Sequence, residues 1–121
     1  IEDHFAKQNF RKVLQLIAGQ HSVDVKEIGN SLDIDPAIWN KILKGSFYPS
    51  KNLIFSMGIA AHFSYRAVKD MLMTCGYDFD FTQVNDVVVA YLLLKGVYNM
   101  TMVNAALEEY KMLPLMIKQA E

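Results

Sequence analysis

Residues 24–45 read DVKEIGNSLDIDPAIWNKILKG, which is the pattern of two short helices joined by a tight turn. Asp24 is followed three residues later by Glu27, a spacing typical of a capped helix start, because the Asp24 side chain can accept hydrogen bonds from the first free backbone N–H groups. Apolar residues then recur at helical spacing, so we predict a first helix over 25–32.

The turn after this helix is DID, residues 33–35. Asp33 is one of the few non-glycine residue types that adopts left-handed backbone angles at low cost. Asp35 is placed to cap the following helix, and Pro36 occupies its first position, where a missing N–H costs nothing. We predict this second helix over 36–44.

The rest of the chain also has the apolar spacing of helices, and no stretch alternates in the way that predicts a strand. Ser50, Ser64 and Thr82 are the expected capping residues of three later helices, and Gly19 is the expected end of the first helix of the chain. We therefore predict an all-α fold built as one domain over residues 1–121. The helices predicted outside the opening stretch are 3–18, 51–62, 65–75, 83–95 and 100–112.

The composition excludes several classes of protein. Of 121 residues, 52% are hydrophobic and 21% are charged, which argues against disorder. The longest apolar run, residues 87–94, is too short to span a bilayer and indicates a buried helix, so no membrane association is expected. A single cysteine, Cys75, and the lack of a secretion signal favour the cytoplasm. Because the chain begins with Ile1 rather than Met, we expect a fragment of a longer protein or a trimmed tag.

The sequence contains no recognisable catalytic or cofactor-binding set. There is no Ser/His/Asp combination at a useful spacing and no glycine-rich phosphate loop. His4, His21 and His62 are far apart and have no Cys or carboxylate at ligand spacing, which argues against zinc. Asp78 and Asp80 are two alternating acids in a turn, which is weak evidence for a metal. We therefore predict a non-enzymatic protein without a metal, a cofactor or a small-molecule ligand.

Positive charge is concentrated in one part of the chain. The formal net charge is −1, but residues 36–69 contain five basic residues and no acidic one. Attraction to phosphate depends on such a local patch rather than on the total charge. The five basic residues are Lys41, Lys44, Lys51, Arg66 and Lys69.

Several separated segments follow one another in a specific order: EIG, LDID, IWNKILKG and YPSKNLIFSMGIAAHF. On the basis of these segments, residues 10–76 resemble the Cro/C1-type (XRE) helix-turn-helix domain. Residues 23–117 also look like a helical domain of Firmicute proteins that is sometimes fused behind other domains, such as macro domains. The comparable elements there are DPAIWNKI, YPSKN, MLMTCGYDF and VNAALEEY. The resemblance implies a five-helix core over 10–76 and a C-terminal helical hairpin over 77–121.

The resemblance also implies a way of binding DNA. In DNA-binding members of this class, the second helix of the motif lies in the major groove. Carried over to this chain, Asn40 would pair with adenine and Lys41 would reach guanine, while nearby cations would hold phosphate groups. The implied DNA-binding residues are Asn40, Lys41, Lys44, Lys51 and Arg66.

The start of this helix departs from the family pattern. DNA-binding members usually have Ser, Thr, Gln or Arg where this chain has Asp35, Pro36 and Ala37, and Asp35 places negative charge towards phosphate. Two functions therefore stay open. One is a DNA-binding or transcription-regulatory module, and the other is a helical protein-interaction module appended to a larger effector protein, without DNA binding.

Trp39 is the only tryptophan of the chain, and it has two interpretations. An exposed indole would stack on a base. Because Ile42 and Leu43 follow at helical spacing, a core position is favoured.

The C-terminal stretch YKMLPLMIKQ contains apolar residues with no evident helix to bury them. Methionine-rich helical surfaces recognise partner helices, and DNA-binding proteins of this class commonly form dimers. We predict a pairing surface here for a second copy or for the rest of a longer protein. Its residues are Tyr110, Met112, Leu113, Leu115 and Met116.

Overall fold

A computed structural model describes the backbone of residues 2–44 and 49–109 and the side chains of residues 10–44, 49–99 and 101–109. Within these residues the chain forms seven α-helices and no strand, which confirms the predicted all-α class. The helices are α1 (Glu2–Gln20), α2 (Val25–Ser31), α3 (Pro36–Leu43), α4 (Lys51–Ala60), α5 (Tyr65–Thr74), α6 (Val84–Leu94) and α7 (Met100–Glu109).

Four helix starts have the side-chain caps that the sequence predicts. Asp24, Asp35, Ser50 and Ser64 each precede a helix, and each side chain accepts a hydrogen bond from a backbone N–H in its first turn. Such a cap contributes about 1 kcal/mol to helix stability. The donors are the backbone N–H groups of Lys26, Ala37, Leu53 and Ala67.

Two predicted helix boundaries are wrong. Thr82 does not cap α6, because the helix begins at Val84, one residue later than predicted; the Thr82 hydroxyl and backbone N–H both donate to the Asp80 carboxylate, at 2.6 and 3.0 Å. The cap position belongs to Gln83, which makes no side-chain capping bond. Gly19 does not end α1 either: the helix continues past it, and the left-handed residue is Ser22, with φ of 57°.

The core is continuous through the described residues. Apolar side chains from all seven helices belong to one buried cluster, and α4 is buried at every position of Leu53–Ile59. Gly58 allows α5 to approach closely, because a Cβ atom there would overlap the Val68 side chain. The hairpin of α6 and α7 meets the rest of the protein through contacts of α6 with α5 and through the Lys51–Asp86 pair with α4.

An aromatic cluster fixes the connection between α5 and α6. The buried Phe79 ring stacks on Phe55 and on Tyr65, with centroids 5.5 and 4.9 Å apart. The Tyr77 hydroxyl donates to the carbonyl oxygen of Pro49 at 3.2 Å. These contacts hold the beginning of α6 against the beginning of α4.

Candidate functional site

The turn between α2 and α3 has a defined backbone conformation. Asp33 has φ of 55°, as predicted for a left-handed residue at this corner. The N–H of Ile34 donates to the carbonyl oxygen of Gly29 at 3.1 Å, which closes the end of α2. The Ile34 side chain is buried, so it anchors the turn in the core.

Trp39 lies in the core and joins α3 to α2, so the predicted core position is confirmed. A Cβ atom on Gly29 would come within 2.8 Å of the indole ring, which explains the glycine inside α2. The indole N–H is buried and has no hydrogen-bond partner. The close contact between the two helices therefore leaves the indole N–H as an unsatisfied donor, which lowers the stability of the fold.

The exposed face of α3 contains three of the predicted DNA-binding residues. Asn40, Lys41 and Lys44 are all exposed, while the inward positions of the helix are buried. Asp35 is also exposed at the beginning of the helix, where its carboxylate accepts the N–H of Ala37 at 2.8 Å. The face therefore combines two lysines and an amide with one acid that is engaged in capping.

Lys51 occupies a different environment from the one expected of a phosphate-binding residue. Its ammonium group forms an ion pair with Asp86, whose side chain is only 4% exposed. The same carboxylate oxygen accepts the N–H of Asp80 at 2.7 Å. A buried carboxylate needs such partners to offset the loss of water. Lys51 thus holds α6 against α4, and its charge is matched inside the protein.

The other two cations of the basic stretch also face acids. Nε of Arg66 lies 3.9 Å from the Asp70 carboxylate, but the Arg66 side chain is 85% exposed, so this pair is weak. Lys69 donates to Asp78 at 2.8 Å. That hydrogen bond raises the pKa of Lys69 and lowers the pKa of Asp78.

Lys51, Arg66 and Lys69 therefore each have an acidic neighbour within the described part of the chain. The acids come from residues 70, 78 and 86, all beyond the window in which the sequence has only basic residues. Counting charges along the sequence could not predict these pairs. In two of the three, Lys51–Asp86 and Lys69–Asp78, the acid lies outside the helix that contains the lysine.

The apolar run over 87–94, predicted to be a buried helix, is buried on one side of α6 only. Val84, Val87, Tyr91 and Leu94 are 44, 43, 57 and 67% exposed. We call these four side chains the α6 stripe. A cleft of about 390 Å³ between α6 and α7 runs beside it, lined by Val87, Val88, Tyr91, Leu92, Ala106 and Glu109.

The two described histidines face one cleft of about 340 Å³, between α1, α2 and the end of α4. Nδ1 of His21 lies 2.8 Å from the carbonyl oxygen of Ile17, and the His62 ring stacks on Tyr98 with centroids 4.6 Å apart. Across residues 10–44, 49–99 and 101–109, no group of three His, Cys, Asp or Glu side chains is placed to hold a metal ion.

The predicted C-terminal pairing residues lie outside the described residues. They are Tyr110, Met112, Leu113, Leu115 and Met116. Among the helices that are described, none is both long enough and apolar enough to cross a membrane. No protein-family model, curated protein or solved structure matches the chain. The fold of the described residues therefore places the chain in the all-α class.

Proposed function

We propose that the chain is a non-enzymatic helix-turn-helix module that binds duplex DNA, with α2 and α3 as the two helices of the motif. The observation that supports this proposal is the exposed face of α3, where Asn40, Lys41 and Lys44 lie opposite the buried Trp39 and Ile42. Asn40 and Lys41 have the chemistry to contact adenine and guanine in the major groove. Lys44 adds a phosphate contact.

The internal ion pairs reduce the number of phosphate contacts that we propose. Lys51 leaves the set, because detaching it from Asp86 would leave a buried carboxylate without its cation. Arg66 stays in the set, since its pairing with Asp70 is exposed and long. Lys41 is then the proposed base contact, and Lys44 and Arg66 are the proposed phosphate contacts.

The number of cations gives the proposal a quantitative test. Affinity for duplex DNA falls with salt in proportion to the phosphates neutralised. Between about 50 and 200 mM salt, two phosphate contacts predict a loss of roughly 12-fold, whereas four, with Lys51 and Lys69 included, would give roughly 150-fold. Fluorescence anisotropy with a random duplex pool measures this dependence directly.

The control variants separate a local surface from total charge. Lys41→Glu/Lys44→Glu should abolish binding at low salt. Arg11→Glu/Lys12→Glu makes the same change in net charge at two exposed positions on α1, and it should retain most of the binding. Equal losses in both double variants would show that only overall charge matters. Absence of binding by the unmodified chain at about 50 mM salt would reject the DNA proposal.

A second candidate function is a helical protein-interaction module that keeps the helix-turn-helix shape without binding DNA. Two observations favour it: the acidic partners of Lys51, Lys69 and Arg66, and the exposed α6 stripe. Under this proposal, charge reversal on α3 leaves the function intact. Substitution in the α6 stripe, for example Tyr91→Glu, would abolish association with the partner.

A further inference from the structure

The α6 stripe has the spacing of a helix-pairing surface. Its residues, Val84, Val87, Tyr91 and Leu94, are separated by three, four and three positions. This is the spacing of the a and d positions that form the seam between paired helices. Exposed apolar side chains in a continuous row mark interaction sites on folded proteins. We propose that the stripe is a homodimer interface, in which the α6 helices of two copies pack antiparallel.

The symmetry of the spacing favours a second copy as the partner. The intervals 3, 4 and 3 are the same from either end of the helix. A two-fold axis that passes the stripe at the level of residue 89 therefore superimposes the stripe of one copy on that of the other. Val84 then faces Leu94 of the second copy, and Val87 faces Tyr91 of the second copy. Each contact joins a smaller side chain to a larger one, which keeps the distance between the helices even along the seam. A two-fold contact of this kind needs one self-complementary patch.

Charge favours the antiparallel direction. Lys95 directly follows the stripe, and its ammonium group lies 5.6 Å from the centre of the Tyr91 ring. Asp80 lies before the beginning of α6 and is exposed. In the antiparallel arrangement, Lys95 of each copy comes near the acidic end of the other α6. In a parallel arrangement the two Lys95 side chains would lie together and repel.

The size of the patch sets the expected affinity. α6 has 11 residues and is therefore about 16 Å long. Four side chains over this length, with the neighbouring exposed Phe81, form an interface below the usual size of stable complexes. We expect a dissociation constant on the order of 10–100 μM. This interface is separate from the face of α3, so its existence does not depend on DNA binding.

The first test measures the mass of the full chain by sedimentation at protein concentrations from about 5 to 500 μM. We expect a monomer–dimer equilibrium that Tyr91→Glu shifts at least tenfold towards monomer. The variant should fold normally, because the introduced glutamate forms a favourable pair with Lys95, four residues further along the same helix face. Leu16→Glu is the matched control, since Leu16 is an exposed apolar residue of α1 outside the stripe, and it should leave the dimer unchanged.

The second test fixes the direction of the helices by disulfide cross-linking. Chains with Val87→Cys and chains with Tyr91→Cys should cross-link when mixed, because these positions face one another across the axis. A sample in which every chain carries Tyr91→Cys should cross-link much more slowly. The two cysteines of such a dimer are offset by about 6 Å along the helix axis, in addition to the distance of about 8–10 Å between the helices. Comparable cross-linking of Tyr91→Cys alone would overturn the antiparallel arrangement.

Three results would overturn the dimer itself, two from sedimentation and one from thermal unfolding. One is a chain that stays monomeric up to about 500 μM. Another is a dimer that Tyr91→Glu does not weaken. The third is a monomeric chain whose melting temperature falls in Tyr91→Glu but not in Leu16→Glu, which would assign the stripe to residues 110–121 of the same chain.

Discussion

Replacement of Asp86 by alanine removes the acceptor that joins the beginning of α6 to the beginning of α4. The carboxylate is almost fully buried and accepts from both the Lys51 ammonium group and the Asp80 backbone N–H. Removing one partner of a buried ion pair costs about 3–5 kcal/mol, because the other charge is left without compensation. The Lys51 side chain is 28% exposed and can regain some water, so we take the lower end, about 3 kcal/mol.

This loss is large compared with the total stability of a chain of this size, which is about 5–15 kcal/mol. It corresponds to a decrease of roughly 10 °C in melting temperature. Urea unfolding followed by circular dichroism and by the fluorescence of Trp39 measures the free energy of unfolding. We expect the midpoint to fall while the slope against urea stays the same, since the same surface is exposed on unfolding.

Asp78→Ala provides the matched control. Asp78 also pairs with a lysine, Lys69, at 2.8 Å, but both side chains are at least one-third exposed. An exposed pair contributes at most about 1 kcal/mol. If Asp86→Ala costs no more than Asp78→Ala, the inference that burial makes the Asp86 pair important is refuted.

A double-mutant cycle tests the pair itself. Lys51→Met keeps the aliphatic part of the side chain, and Asp86→Asn keeps an acceptor for the Asp80 N–H. If the two groups act together, the free energy lost in the double variant should be smaller than the sum of the two single losses, by about 1–3 kcal/mol. Additive losses would show that Lys51 and Asp86 stabilise the protein independently.

Four further predictions concern Gly29, Cys75 and Lys51. Gly29→Ala should destabilise the protein by about 1–3 kcal/mol in urea unfolding, because the new Cβ meets the Trp39 ring, whereas Gly19→Ala, with nothing within 4 Å, should stabilise it slightly. The thiol of Cys75 should react slowly with Ellman's reagent at pH 8 until urea is added, since burial raises its pKa to about 12. Because this pKa is raised on folding, its contribution to stability is complete below about pH 9 and is lost as the pH rises towards 12; Cys75→Ala should flatten that loss. Lys51→Met should change DNA affinity less than twofold under conditions where the variant is folded, and a loss as large as that of the α3 double variant would return Lys51 to the phosphate-binding set.

The parts of the fold that the sequence predicts correctly depend on short-range chemistry. Asp24, Asp35, Ser50 and Ser64 each act on a backbone N–H two or three residues away, so the residues that decide each cap are adjacent in the sequence. The error at Thr82 has the same physical origin. Asp80, two residues before it, accepts from both its hydroxyl and its backbone N–H, which holds Thr82 in the turn before the helix, while the Asp80 N–H donates to the distant Asp86.

The candidate site was harder to predict because charge belongs to a surface rather than to a window of sequence. Lys51 and Asp86 are 35 residues apart, and their contact exists only once α6 lies against α4. The stretch without acids therefore indicated an excess of positive charge that the folded chain partly cancels. Long-range pairs of this kind leave no periodic signal in a single sequence.

The apolar run of α6 shows why hydrophobicity alone does not assign a position to the core. A helix has several faces, and one side of α6 supplies Val89 and Leu93 to the core of this chain. The same helix has a second apolar row, the α6 stripe, on a face that the described core leaves exposed. Eight consecutive apolar residues therefore exceed what one buried face requires. This exposed row is the surface for which we propose a second copy of the chain as the partner, because its spacing is the same from either end of the helix.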